Sequence, residues 1–155
     1  MQLCPLTERD WPSLHKLMLQ RKFPHVPTIY CEAKPHFARA KAFGLKPSLG
    51  LEAAFLFGPP EDGIAFFDVV CSVGQEGRWA MPSVLRALYA QAFLPPPNGL
   101  GLRAVWVQTH SARALKAALK AGFVAVTPLG KTEAPILVLT ARQIPPSLKP
   151  QQQEM

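Results

Sequence analysis

Asp68 lies inside the apolar run IAFFDVVC, residues 64–71. A carboxylate in such a run loses part of its hydration, which disfavours the charged form and moves its pKa toward that of a general base working near neutrality. The same setting suits a structural carboxylate paired with an arginine or a backbone amide, and the sequence admits both. Three residues on, Cys71 could serve as a nucleophile, but no base stands beside it in sequence, and a small buried apolar side chain is the simpler role. His110 precedes a helix cap, where it can meet a ligand or merely end a strand. His15, His25 and His36 lack metal-ligand spacing, and Cys4, Cys31 and Cys71 form no CxxC or Cys/His pattern, so no metal is expected. Glu61 and Asp62 fall in the turn GPPEDG and read as solvated.

Elements must hold these side chains in place. Residues 103–126, RAVWVQTHSARALKAALKAGFVAV, read as a strand, a helix capped by Ser111 and stopped by Gly122, and a second strand opening at Phe123. On that helix Leu115, Ala118 and Leu119 share one face, while Arg113, Lys116 and Lys120 share another that faces solvent or an anion. Upstream, Leu51 to Phe57 and Ile64 to Ser72 flank the GPPEDG turn as a hairpin. In its second arm Phe66, Asp68, Val70 and Ser72 point one way and Ala65, Phe67, Val69 and Cys71 the other. A first strand from Gln2 to Leu6 leads into a helix capped by Thr7 that ends near Arg21. After the proline-broken loop FPHVPTIY, a second helix is expected from about Cys31 to Phe43, closed by Gly44. A third spans Ser83 to Phe93, and a last strand runs from Ile136 to Thr140. The order β-α-α-β-β-α-β-α-β-β predicts a single three-layer α/β domain over residues 1–143, a mixed central sheet flanked by helices, with parallel crossings at the helices after Ser72 and His110. Residues 144–155 read as a flexible tail.

At 155 residues the chain can bury roughly two thirds of its unfolded surface and needs no disulfides. Three widely spaced cysteines suit a reducing compartment, so a cytoplasmic location is expected, and neither a signal-peptide core nor a membrane span is visible. Seventeen basic against ten acidic residues leave a net charge of +7, which favours an anionic partner. The basic residues are scattered, without zinc-finger or RNP patterns, which argues against nucleic acid as that partner.

The residues and their order resemble the GNAT N-acetyltransferase superfamily over most of the chain. PLTERDWPSLHKL is similar to its first strand and helix, GIAFFDVVCS to its fourth strand, and SARALKAALKAGF to its late helix, with Ser111 at a position often Asn and with Ala114, Gly122 and Phe123 matching. GRWAMPSVLRALYAQAF is similar to a branch in which a tryptophan-containing loop replaces the glycine-rich phosphate loop. The resemblance implies an acyl-CoA-dependent N-acyltransferase, with acetyl-CoA or another acyl-CoA as donor and direct attack by a small-molecule or peptide amine. Asp68 would be the base. Val69, Val70 and Cys71 would line the pantetheine arm, Gly77, Arg78, Trp79, Ala80 and Ser83 would meet the phosphates, and Ser111 would also face the cofactor. Phe23, His25 and Tyr30 would contact the acceptor, and the partners expected are that amine and a second copy of the chain in a homodimer. Departures point to an alternative, a catalytically silent GNAT-fold binding or regulatory module. Gly77, Ala80 and Pro82 occupy the three defining phosphate-loop positions without the preferred residues, and Ala118 stands where the family often carries a tyrosine general acid.

Overall fold

β3, Ala53–Phe57, is buried at all five residues, so both of its faces are covered and the other strands of its sheet are arranged around it. The structure, a computed structural model, describes residues 2–23, 25–46, 50–73, 79–127 and 134–150. The chain divides into two compact units, Met1–Pro59 with Phe66–Trp79, and Pro60–Ala65 with Ala80–Met155.

In the first unit β1, Leu3–Pro5, β2, Lys41–Leu45, β3 and β4, Ile64–Cys71, which belongs to this unit from Phe66 onward, pair antiparallel in chain order. Helices α1, Trp11–Gln20, and α2, Tyr30–Arg39, lie between β1 and β2 in sequence. Leu14, Leu17 and Met18 of α1 and Ala33 and Phe37 of α2 form one core with Ala42, Ala54, Leu56 and Val70 of the strands. The alternate strand residues build an aromatic cluster, in which Phe57 lies 5.0 Å from Phe67 and 6.1 Å from Phe43. The expected two-sidedness of β4 is therefore realised, with Val70 toward the helical core and Phe67 among the aromatics.

One expectation fails here. Instead of running to Phe43, the second helix stops at Arg39, and Ala40 turns the backbone into β2. Gly44 is no helix cap. It pairs with Cys4 on one side and Ala54 on the other, and a Cβ there would come within 2.6 Å of Leu51 and 2.8 Å of Leu6. Both a cap and a crowded strand call for glycine, and only the packing of Leu6 and Leu51 separates the two.

In the second unit β5, Ala104–Gln108, and β6, Val124–Ala125, flank β7, Ile136–Thr140, each antiparallel to it. The crossover through α4, Ala112–Lys120, thus joins two strands of the same direction with β7 between them. Helix α3, Pro82–Phe93, is followed by a return strap whose Leu100 and Leu102 amides bond to the Gln91 and Ala92 carbonyls at 2.7 and 2.9 Å. The Tyr89 hydroxyl of α3 donates to the Ala121 carbonyl at the end of α4, at 2.6 Å in the interior.

Residues 144–150 differ from the loose segment expected of them. Ile144 and Leu148 are 4% and 6% exposed, and the Arg86 guanidinium donates to the Ser147 carbonyl at 3.1 Å. The stretch IPPSLKP looks like a tail because its prolines break periodicity, yet two apolar side chains in seven residues suffice to anchor it. Leu148→Ala should therefore lower unfolding free energy by about 2–4 kcal/mol, read from denaturant midpoints. An unchanged midpoint would show that the segment is not part of the folded unit.

Candidate active site

The two-residue period of β4 places successive side chains of one face at different depths. Val70 is buried in the helical core, and two residues away Asp68 and then Phe66 leave that core and border a pocket. The pocket lies wholly within the first unit and holds about 400 Å³, in the range that takes a small organic ligand. Met18 of α1, Phe23, Leu56 of β3 and Phe66 supply most of its apolar wall. His36, Arg39 and Ala40, at the end of α2 and just past it, complete the lining with Gly58 and Pro59.

Leu56 is the register partner of Asp68, so an isobutyl group rather than a polar side chain stands beside the carboxylate on β3. Burial raises the Asp68 pKa to about 7, and a hydrogen bond from the Val69 amide only partly opposes the rise. Of the two partners of a merely structural carboxylate, the backbone amide is present but does not hold the charge. His36 and Arg39 are exposed and stand one turn apart in the last turn of α2. Sequence reading missed both, having weighed His36 only for metal-ligand spacing. Their signal was the three-residue spacing at the end of a helix, and it carries meaning only once they share a pocket with Asp68.

Of the acceptor contacts expected from the resemblance, Phe23 lines the pocket, whereas His25 and Tyr30 do not border it. His25 is exposed, with a positive φ of 64°. Tyr30 packs on His15, with ring centroids 5.7 Å apart. His15 is itself 6% exposed, and its Nε2–H donates to the Pro27 carbonyl at 2.7 Å. The histidine ties the loop between α1 and α2 to the core, and Tyr30 is part of that tie.

Among the residues expected at the donor, Val69 and Cys71 are half-buried and Val70 is fully buried, so Val70 can offer only its backbone to a ligand. Trp79 sets its ring edge-on to Phe55 at 5.3 Å and extends the aromatic cluster. Gly77 and Arg78 lie outside the described residues. In the second unit Ala80 is half-buried and Ser83 is exposed as the second residue of α3, behind Pro82. The Ser111 hydroxyl accepts the Ala114 amide at 3.0 Å, which is the expected helix cap. Gly122, with φ of 104°, closes α4 as expected. Among the described residues no three His, Cys, Asp or Glu gather as metal ligands, and no helix is long and apolar enough to cross a membrane.

Comparison with protein-family models and with curated proteins finds no match. Solved structures do match. The spermidine N-acetyltransferase from Vibrio cholerae in complex with CoA and spermine superposes at a TM-score of 0.73 and 14% identity, covering 92% of this chain and 96% of that one. The dodecameric structure of spermidine N-acetyltransferase from the same organism, in an intermediate state, gives a TM-score of 0.70 at 14% identity over 90% and 92% of the two chains. A likeness that spans nearly the whole of both chains at such low identity is a likeness of fold: this chain has the α/β fold of the GNAT acyl-CoA N-acyltransferases.

Proposed function

We propose that this protein is an acyl-CoA-dependent N-acyltransferase, with acetyl-CoA as the donor, and that Asp68 removes the proton from an acceptor amine held in the pocket. The observation that carries this reading is a carboxylate on the wall of a pocket of about 400 Å³ whose pKa burial raises to about 7. It is supported by a fold shared with an N-acetyltransferase solved with CoA and spermine.

An amine arrives at neutral pH as ammonium and has no lone pair until it loses a proton. An ordinary carboxylate is too weak a base to share that proton, whereas one with a pKa near 7 accepts it at a cost lower by about 4 kcal/mol. Ionised Asp68 attracts the ammonium, takes one proton, and leaves a neutral amine free to attack. The apolar wall around Asp68 keeps its carboxylate short of water and therefore basic. Acyl-CoA, when bound, supplies the thioester carbonyl and the thiolate that departs.

Donor contacts are proposed for each unit by itself, with Val69, the Val70 backbone, Cys71 and the loop of Gly77, Arg78 and Trp79 in the first, and Ala80, Ser83 and Ser111 in the second. Pro82 opens α3 without an amide, so Ser83 and Val84 carry the first two amides that a phosphate could use. Three widely spaced cysteines suit the reducing cytoplasm proposed as the location. A second reading, a silent binding or regulatory module, is favoured by one observation. Position 118, where the resemblance puts a tyrosine acid, is a half-buried alanine with no proton to give.

Isothermal calorimetry with acetyl-CoA and a thiol-release assay over an amine panel decide between the readings, since binding without turnover supports the module and absence of binding ends the enzyme reading for this donor. For the enzyme, kcat/KM should rise with pH through about 7. Asp68→Asn should lower it by about 10²-fold or more and flatten that limb while leaving acetyl-CoA affinity unchanged. The raised pKa also has a cost. The folded state binds a proton more tightly than the unfolded chain, so stability is lost as pH rises from about 4 through about 7. Asp68→Asn should accordingly gain about 1–3 kcal/mol in chemical denaturation at pH 8.5 and nothing at pH 3.5. Equal effects at both pH values would mean that the carboxylate is not desolvated.

A further inference from the structure

Among the described residues, the charged and titratable groups of the pocket are few and come from two elements. Asp68 stands on β4, and His36 and Arg39 stand on α2, while α1 and β3 contribute only apolar side chains. Among the described residues no ion pair joins Asp68 to Arg39, and the two opposite charges border one pocket. We infer that the acceptor is a zwitterion, a free amino acid with an apolar side chain, whose carboxylate is held by Arg39 and whose ammonium is held by Asp68. The inference rests on the acyltransferase reading for the fate of the amine, but its argument comes from the walls of the pocket.

A polyamine suits these walls poorly. One carboxylate can serve one ammonium, and a second cationic centre would come to rest against Arg39, where like charges repel. The whole chain, at +7, also lowers the local concentration of polycations. A monoamine without an anion would satisfy Asp68 and leave the guanidinium with no partner in the pocket. An α-amino acid provides one charge of each sign on adjacent bonds, and the planar guanidinium fork matches a carboxylate with two parallel hydrogen bonds. His36, one turn from Arg39, adds a further donor on the same rim. Phe23 and Phe66 then receive an apolar side chain, aromatic or branched.

Calorimetry on the full chain at pH 8 without acyl-CoA tests this with three ligands, L-phenylalanine, L-phenylalaninamide and spermidine. The amide keeps the ammonium and the ring, lacks the carboxylate, and also stands in for a peptide N-terminus. The amino acid should bind about tenfold or more tighter than the amide, because a site built for a charged partner rejects the analogue lacking it. Spermidine should bind more weakly still. Arg39→Gln, a change at an exposed helical position, should erase the preference for the amino acid, and Arg39→Lys should restore part of it. Binding of the amide or of spermidine at least as tight as that of the amino acid, a preference that survives Arg39→Gln, or no binding of any of the three would overturn the inference. Thiol release with the same amines separates this from the broader reading. Bound phenylalanine that is never acylated by any acyl-CoA would remove the transferase and leave zwitterion recognition standing, whereas efficient acylation of spermidine in preference to phenylalanine would keep the transferase and remove the zwitterion.

Discussion

The register of β3 against β4 is the constraint on which the site depends. Ala54 faces Val70 and Leu56 faces Asp68 on one side of the pair, while Phe55 faces Val69 and Phe57 faces Phe67 on the other. A slip of one residue would exchange the two faces, putting Asp68 among the aromatic rings and a phenyl group at the pocket. Phe43, Phe55 and Phe57 are each at most 2% exposed, so moving them would forfeit several kcal/mol of burial, on the order of 1.5–3 for each large side chain. The aromatic cluster thus positions a carboxylate that it never touches. It does so on a strand that also carries the core residue Val70, which leaves β4 little freedom to adjust.

Burying a charge is unfavourable, and the energy that offsets it comes from the same packing. Leu14, Leu17 and Phe37 hold α1 and α2 over the sheet, and His15 extends that hold to the connecting loop through the Pro27 carbonyl and the Tyr30 ring. The loop then leaves Phe23 at the pocket while Tyr30 is occupied elsewhere. Phe23 in the loop and Tyr30 at the start of α2 thereby acquire different duties, one toward a ligand and one toward the core.

The parts of the fold that were legible from sequence rest on short-range chemistry. Ser111 caps α4 and Gly122 ends it because a hydroxyl at a helix start and a residue free to take positive φ have local roles wherever they occur. The alternation of β4 was legible because a period of two survives any environment. β2 was not, since KAFGL after a helix continues an apolar pattern for a few residues and ends in a glycine that two structures can use. Residues 144–150 were not, because their anchoring depends on a surface built far upstream by α3. His36 and Arg39 escaped notice for the same reason. They are ordinary exposed helical residues until folding brings them to the same pocket as Asp68.

By itself, then, the sequence determined the local alphabet: where helices cap, which side of β4 each residue takes, and that a carboxylate sits within an apolar strand. It could not determine how much water that carboxylate loses, because desolvation is the sum of every neighbour brought in from α1, β3 and the loop after α1. Tertiary structure decided that Asp68 ends at a pocket rather than in the core with Val70, and that a guanidinium and an imidazole border that same pocket. Propensities and caps act over four residues, whereas electrostatic environment is set by all groups within several ångströms, whatever their distance along the chain.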